Sequence, residues 1–371
     1  MIARLFCCLS LIGSLSFASV LDAASNPGEP APAREIRAFW NHSGTGAYPG
    51  DWERTAKELG MSGFNMILPN MLWGGAAHYP STVVPQSGVY RRYGDQMEQC
   101  VEASHRHGLE VHVWKVCWNL GHLAPNEFVE ELREKGRLQV SAEGKTGKWL
   151  CPSHPANVKL ELQSLLEVAR KYRVDGLHLD YIRYPDGNHC FCKECRRRFE
   201  KASGRRVENW PADCHSGDRR EQYNAWRCEQ ITSFVATVAQ KSRRVRPGIK
   251  ISAAVFGFYP GCKKSIAQDW LAWAKEGYVD FLCPMNYTNN DKSFRSLVKN
   301  QIRLVEGRVP IYPGIGATSS HSALSPEQVL KQIGSAREEG AAGFTIFNLN
   351  EETAEKLVPA LGQALEDKKE K

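Results

Sequence analysis

The 371-residue chain is 42% hydrophobic and 10% aromatic, which is enough apolar material for one large core. Its net charge of +7 is modest for that length and comes partly from one cluster, Lys193, Arg196, Arg197, Arg198, Lys201, Arg205 and Arg206. In an exported chain such a cluster reads as a solvated face or a contact with an anionic cell-wall polymer, so no nucleic-acid partner is expected.

Export is what the N-terminus suggests. Arg4 introduces a largely apolar run from Leu5 to Val20, and Ser16-Phe17-Ala18 offers a small-x-small cleavage site, with cleavage nearer Ala24 as the alternative. Residues 1–24 are expected to be a signal peptide and 25–34, rich in Pro, Ala and Gly, a linker. The run is too short for stable membrane insertion, and Cys7 and Cys8 lie too early in it for lipoprotein processing. The protein is therefore expected in the periplasm or outside the cell. Ten of the twelve cysteines stay with the mature chain, which is ordinary in an oxidising compartment.

From residue 35 to 366 the apolar patterning alternates between strand-like and helix-like stretches. Strand one is Ile36 to Trp40, and Asp51 caps a helix that runs to Leu59. Strand two is Phe64 to Leu68, with Pro69, Asn70 and Trp73 at its exit, followed by a loop-like stretch from Gly74 to Arg92. A helix from Gly94 to His107 leads into strand three, Glu110 to Val116. A long excursion from Cys117 to Pro155 follows, with a small helix near Asn126 to Lys135 and with Trp118, His122, Trp149 and His154. A helix from Val158 to Tyr172 and an Asp175-Gly176 turn then feed strand four, Gly176-Leu177-His178-Leu179-Asp180. A second excursion, Asp186 to Asp218, and a long helix reach strand five, Lys250 to Val255. A helix from Ile266 to Lys275 precedes strand six, Val279 to Cys283. Strand seven is placed at Val309 to Pro313, before a Ser325-Pro326-Glu327-Gln328 capping box. Strand eight is Gly343 to Phe347, and a last helix from about Glu351 to Leu365 leaves residues 367–371 as a charged tail. Eight strands alternating with helices give an α/β fold, a single (β/α)8 TIM barrel with long loop excursions after strands three and four.

In such a barrel chemistry sits just past the C-terminal ends of the strands. Side chains alternate along a strand, so Gly176, His178 and Asp180 face the interior while Leu177 and Leu179 face the helices. Asp180 then lies at the mouth, and Asp175, at the other end, is structural. The mouth is rich in Trp, Tyr and Asn, side chains that stack on sugar rings or bond hydroxyls. Asp180 is the candidate catalytic carboxylate. Trp40, Trp73, Trp114, Trp118 and Tyr287 are candidate sugar platforms, and Asn70 and Asn286 candidate hydroxyl partners. His112, His178, Tyr181 and Arg183 complete the candidate substrate-binding set. A second acid, usual in glycoside hydrolysis, is not signalled at the strand ends; Asp186, Asp269, Asp291 and Glu351 are the nearby acids.

The chain resembles the bacterial glycosyl-hydrolase-like, family-10-like, barrels of the exported cell envelope. The resemblance is carried by Gly108 to Trp114, Trp149 to Pro155, Asp175 to Pro185, Asp269 to Trp273, Glu276 to Phe281 and Pro284 to Tyr287. It covers roughly residues 37–350, with the strand-four motif its most specific part. It implies hydrolysis of glycosidic bonds in a polysaccharide, with peptidoglycan glycan as the family-level substrate and no cofactor required for catalysis. Two other readings remain open. One is a non-catalytic glycan-binding barrel, favoured by the missing second acid. The other is a metal-dependent deacetylase, which would need His42, His112, His178 and Asp180 to converge. The separate cluster Cys190, Cys192, Cys195 and Cys214 has the spacing of a structural zinc site and the alternative of disulfides.

Overall fold

In the computed structural model of the chain, residues 34–121 and 123–366 are described; the expected signal peptide, nearly all of the linker, His122 and the charged tail lie outside them. Eight parallel strands close into a barrel: β1 (Ile36–Asn41), β2 (Met66–Trp73), β3 (Glu110–Val116), β4 (Gly176–Asp180), β5 (Lys250–Phe256), β6 (Phe281–Met285), β7 (Gly314–Gly316) and β8 (Gly343–Phe347). Each pairs with the next, and β1 pairs with both β2 and β8, so the sheet has no free edge along its staves. Outside run α1 (Trp52–Met61), α2 (Gln96–Arg106), α3 (Pro155–Lys171), α4 (Arg220–Val245), α5 (Trp270–Lys275), α6 (Asp291–Val305), α7 (Pro326–Glu338) and α8 (Glu351–Glu366). The fold is the (β/α)8 barrel expected from the alternation.

The local signals behave as their chemistry requires. Asp51 accepts the Arg54 backbone N–H at the start of α1, and both halves of the Ser325–Gln328 capping box form at the start of α7. The excursion after β3 carries a helix, Asn126–Glu134, and a hairpin, Leu138–Val140 with Thr146–Leu150. The excursion after β4 carries helices Lys193–Ser203 and Ala212–His215.

Some boundaries differ from expectation. The stretch read as a loop from Gly74 holds a short strand, Ala76–Ala77, and a helical turn, Gly88–Tyr93. The helix expected from Ile266 to Lys275 is two pieces, Gly261–Ile266 and α5, because Ala267 takes a left-handed φ of 57° between them. β2 continues through Pro69 and Asn70 to Trp73, with an irregularity between Asn70 and Leu72 that carries Trp73 into the mouth. The largest difference is β7. It lies at Gly314–Gly316 rather than Val309–Pro313, where only Ile311 makes an isolated bridge to Leu282. Pro310 and Pro313 have no N–H to give a ladder.

Two layers of apolar packing result. Leu177 and Leu179 face outward into the layer between sheet and helices, where the buried pair Lys115–Glu161 also sits, 3.3 Å apart. Inside the barrel pack Trp40, Met66, Leu68, Trp114, Phe281 and Tyr312. Register stacks the interior in levels. Trp114 of β3, His178 of β4 and Ser252 of β5 are neighbours, and one level up Val116 neighbours Asp180. One level down His112 neighbours Gly176, where a Cβ would come within 2.1 Å of the imidazole Nδ1. Strand four therefore needs a glycine there to admit the ring.

Candidate active site

At the C-terminal mouth of the barrel the strand ends and their loops enclose a cleft of about 680 Å³. Its walls are strongly aromatic. Trp40 packs edge-on to Tyr287 at 6.3 Å, Tyr287 stacks on Phe347 at 5.5 Å, and His42 sits 4.4 Å from Trp73 and 5.6 Å from Trp114. Phe256 and Phe258 stand at the rim, 42% and 68% exposed, although both are large apolar rings. Exposed rings beside a polar cleft mark a contact surface.

Asp180 ends β4 and is the one carboxylate among the described residues that line this cleft. Its side chain is buried, and burial pushes its pKa up from 3.8 to about 6. Two neighbours oppose that rise in part: the Tyr181 backbone N–H, which donates to Oδ1 at 2.6 Å, and the positive charge of Arg183. The Trp114 indole N–H acts on the same carboxyl only weakly, since it lies outside good hydrogen-bond geometry. To turn its N–H back onto Asp180, Tyr181 adopts a left-handed φ of 53°, strain of about 1–2 kcal/mol that such sites commonly hold. Arg183 is fixed by its contacts, with its guanidinium over the rings of Tyr181 (4.8 Å), Phe256 (4.9 Å) and Trp149 (5.3 Å) and Nη1 donating to the Tyr184 carbonyl.

Of the residues read from sequence, Asp180, Trp40, Trp73, Trp114, Tyr181, Arg183, Asn286 and Tyr287 come together on the cleft wall. Asn286 is not a free hydroxyl partner, because its amide pairs both ways with Gln301, at 3.0 and 2.8 Å. Four others lie elsewhere. Trp118 is buried against Phe234 of α4, 4.7 Å away, in the outer layer. Asn70 is fully buried below the wall, its Nδ2 donating to the His42 carbonyl at 3.4 Å. His112 sits at the floor, 3.1 Å from the Glu110 carboxylate and edge-on to Phe281. His178 is a buried strut. The Trp40 indole donates to its Nε2 at 3.0 Å, which leaves Nδ1 to carry the proton toward Ser252 Oγ, 2.9 Å away. Burial holds its pKa well below 6.5, so the ring is neutral.

The acids named as partners are also accounted for. Asp269 binds Tyr259 and Lys263, Asp186 binds His189, Asp291 binds Lys331, and Glu351 is exposed at the start of α8. Asp175 accepts the Val111 N–H and meets His105 at the barrel floor. The deacetylase constellation is not assembled. Among the described residues, the only group of three or more His, Cys, Asp or Glu side chains close enough to share a metal is four cysteines. Sequence reading missed Phe347 and the loop Ser319–His321, which line the cleft after β7. The signal for Ser319–His321 is the Gly-x-Gly of β7, which they follow, whereas Phe347 is the last residue of β8, a strand whose position the sequence does show.

The family model described as glycosyl hydrolase-like 10 matches residues 36–329. The chain belongs to that family. Glycosyl hydrolase YngK of Bacillus subtilis strain 168 is 21% identical over 324 residues, covering 78% of this chain and 61% of that protein. An S-layer-related protein of Niallia circulans is 24% identical over 277 residues, covering 61% of this chain and 17% of that protein. This glycosyl hydrolase-like 10 chain thus spans less than two thirds of either relative. The solved glycoside hydrolase domain of PgaB (BpsB) from Bordetella bronchiseptica superposes with a TM-score of 0.71 at 14% identity, over 89% of this chain and 98% of that one. That likeness extends the barrel fold of the glycosyl hydrolase-like 10 chain to a known hydrolase domain. No helix among the described residues is long and apolar enough to cross a membrane.

Proposed function

We propose that the protein hydrolyses glycosidic bonds of an envelope polysaccharide, with peptidoglycan glycan strands as the substrate class, and that Asp180 is the acid. The observation that carries this reading is a buried carboxyl whose pKa rises to about 6 at the floor of an aromatic cleft. Such a group keeps its proton up to about pH 6, about two pH units beyond an ordinary aspartate, and can pass it to the leaving glycosidic oxygen. With no second carboxylate on the described wall, attack on the anomeric carbon falls to the substrate's own 2-acetamido oxygen. The C1–O bond breaks as Asp180 protonates the departing oxygen, and the acetamido oxygen closes a five-membered ring onto C1. Asp180, now a carboxylate, takes a proton from the water that opens that ring, and configuration is retained. Peptidoglycan strands supply 2-acetamido sugars, and the export signal expected at residues 1–24 would bring the protein to them.

The test is release of reducing ends from glycan strands, comparing N-acetylated polymer with the same polymer stripped of its acetyl groups. Turnover of the acetylated form alone is expected, with a loss of about 10²–10⁴-fold in Asp180→Asn. Equal turnover of both polymers would rule out the acetamido step. The single carboxylate on the wall also suits a glycan-binding barrel without catalysis. Saturable binding with no reducing ends released by the wild type would decide for that reading.

A further inference from the structure

The cysteines grouped by spacing separate in three dimensions. Cys214 lies beside a different cavity with His215, and its place is taken by Cys151, at the end of the hairpin after β3. The sulfurs of Cys151, Cys190, Cys192 and Cys195 all lie within 4.8 Å of one another, and all four side chains are buried. Cys151 is 3.4 Å from Cys195 and 3.9 Å from Cys192. Four sulfurs at about 2.3 Å from a tetrahedral zinc would stand about 3.8 Å apart, whereas paired sulfurs stand about 2.05 Å apart. The cluster has the spacing of the first arrangement.

Its surroundings suit thiolates. The Cys195 backbone N–H donates to Cys192 Sγ and the Val140 N–H to Cys190 Sγ, each at 3.4 Å. Cys192 also caps the helix Lys193–Ser203, whose N-terminal dipole favours negative charge. Ser153 Oγ bridges Cys151 and Cys195 at 3.2 and 3.3 Å and receives Arg198 Nη1, which brings a cation to the edge of the group. All four ligands are buried cysteines, the ligand set and setting of structural rather than catalytic zinc.

We propose that Cys151, Cys190, Cys192 and Cys195 bind one zinc ion as four thiolates, tying the loop after β3 to the loop after β4. Binding releases four thiol protons to solvent and leaves a doubly negative centre, which Arg198 and the two backbone N–H groups stabilise. The staple closes beside Tyr184, four residues beyond Asp180, whose buried phenol feels the charge of Cys195 and Cys151. The strained turn that positions Asp180 is thereby anchored from both excursions.

The test uses the full chain, purified without chelator. Elemental analysis is expected to give one zinc per chain, and cobalt(II) exchanged into the same protein should show the intense visible bands of a tetrahedral thiolate site. Cys151→Ser should weaken zinc retention at least about tenfold, while Cys214→Ser, which removes a buried cysteine outside the cluster, should keep its zinc. If Cys151→Ser does not fold, the wild-type metal count and cobalt spectrum decide alone. Folded metal-free protein, iron in place of zinc, or a peptide map linking these cysteines through disulfides would overturn the assignment.

Discussion

Asp180 must hold a proton that its ordinary chemistry would release. Below pH 4 the carboxyl is protonated in both folded and unfolded chains, and it has no effect on stability. As pH rises from 4 to 6 the unfolded chain gives up this proton while the folded chain keeps it, so stability falls; above 6 the full loss remains. The difference between 3.8 and about 6 corresponds to about 2–3 kcal/mol. Asp180→Asn keeps the shape and removes the titration. It is therefore expected to raise Tm at pH 8 relative to the wild type, and to have much less effect at pH 4. A thermal melt at the two pH values checks this, and a lower Tm at pH 8 would contradict it. In the wild type kcat/KM should fall as pH rises past about 6, the proton donor being lost. At the rim, Phe258 is 68% exposed and packs little, so Phe258→Ala should leave Tm nearly unchanged. Loss of its ring contact should weaken polymer binding by about 1 kcal/mol, roughly fivefold, as titration calorimetry would show.

At the scale of elements, β4 is where sequence and structure agree most closely. Its small-x-imidazole-x-carboxylate alternation has one workable orientation in a barrel, and the imidazole of His112 fills the space Gly176 leaves. Gly176→Ala should cost about 1–3 kcal/mol by overpacking, read as a lower denaturation midpoint. Removing the neighbouring ring as well, in Gly176→Ala with His112→Ala, should recover part of the Gly176→Ala loss, and strict additivity would show that the two do not meet. β7 was not legible in this way. The apolar residues just before it, Val309 to Tyr312, are interrupted by Pro310 and followed by Pro313, and three residues of Gly-Ile-Gly carry too little pattern to read as a strand. The same blind spot hid Ser319–His321, since a site residue is found by counting outward from a strand end. Cys151 escaped for a different reason: hairpin folding, which no local spacing records, brings it to Cys190, Cys192 and Cys195. Burial was the remaining gap. Trp118 and His178 have the right chemistry for sugar contact, but their partners Phe234, Trp40 and Ser252 hold them inside the protein.

Over the whole molecule, the positive charge and the cleft are separate. In the helix Lys193–Ser203, Arg196 pairs with Glu200, and Arg197 and Arg198 pair with Glu194, so much of the basic cluster is matched on its own helix. The cleft wall contributes Asp180 and Arg183 among aromatic rings. Affinity for an uncharged glycan oligomer should accordingly change by less than about twofold between 50 and 300 mM salt, because few charges are left to screen. A steep salt dependence would point to the basic surface instead.

β7 has a consequence for how this cylinder moves. It is held to β6 through Gly314–Met285 and the isolated Ile311 bridge, and to β8 over three residues, whereas β3 and β4 share five paired positions. A cylinder with one short stave has a seam. Amide protons of Ile315 and Gly316 should exchange with deuterium faster than those of Leu177 and Leu179, as native-state exchange would show. Ser319, Ser320 and Tyr287 hang from that seam, with Ser322 bonded to the Gly316 carbonyl. Its breathing would loosen that side of the cleft while β4 stays fixed, a route by which a long polymer could be laid in from the side rather than threaded by an end.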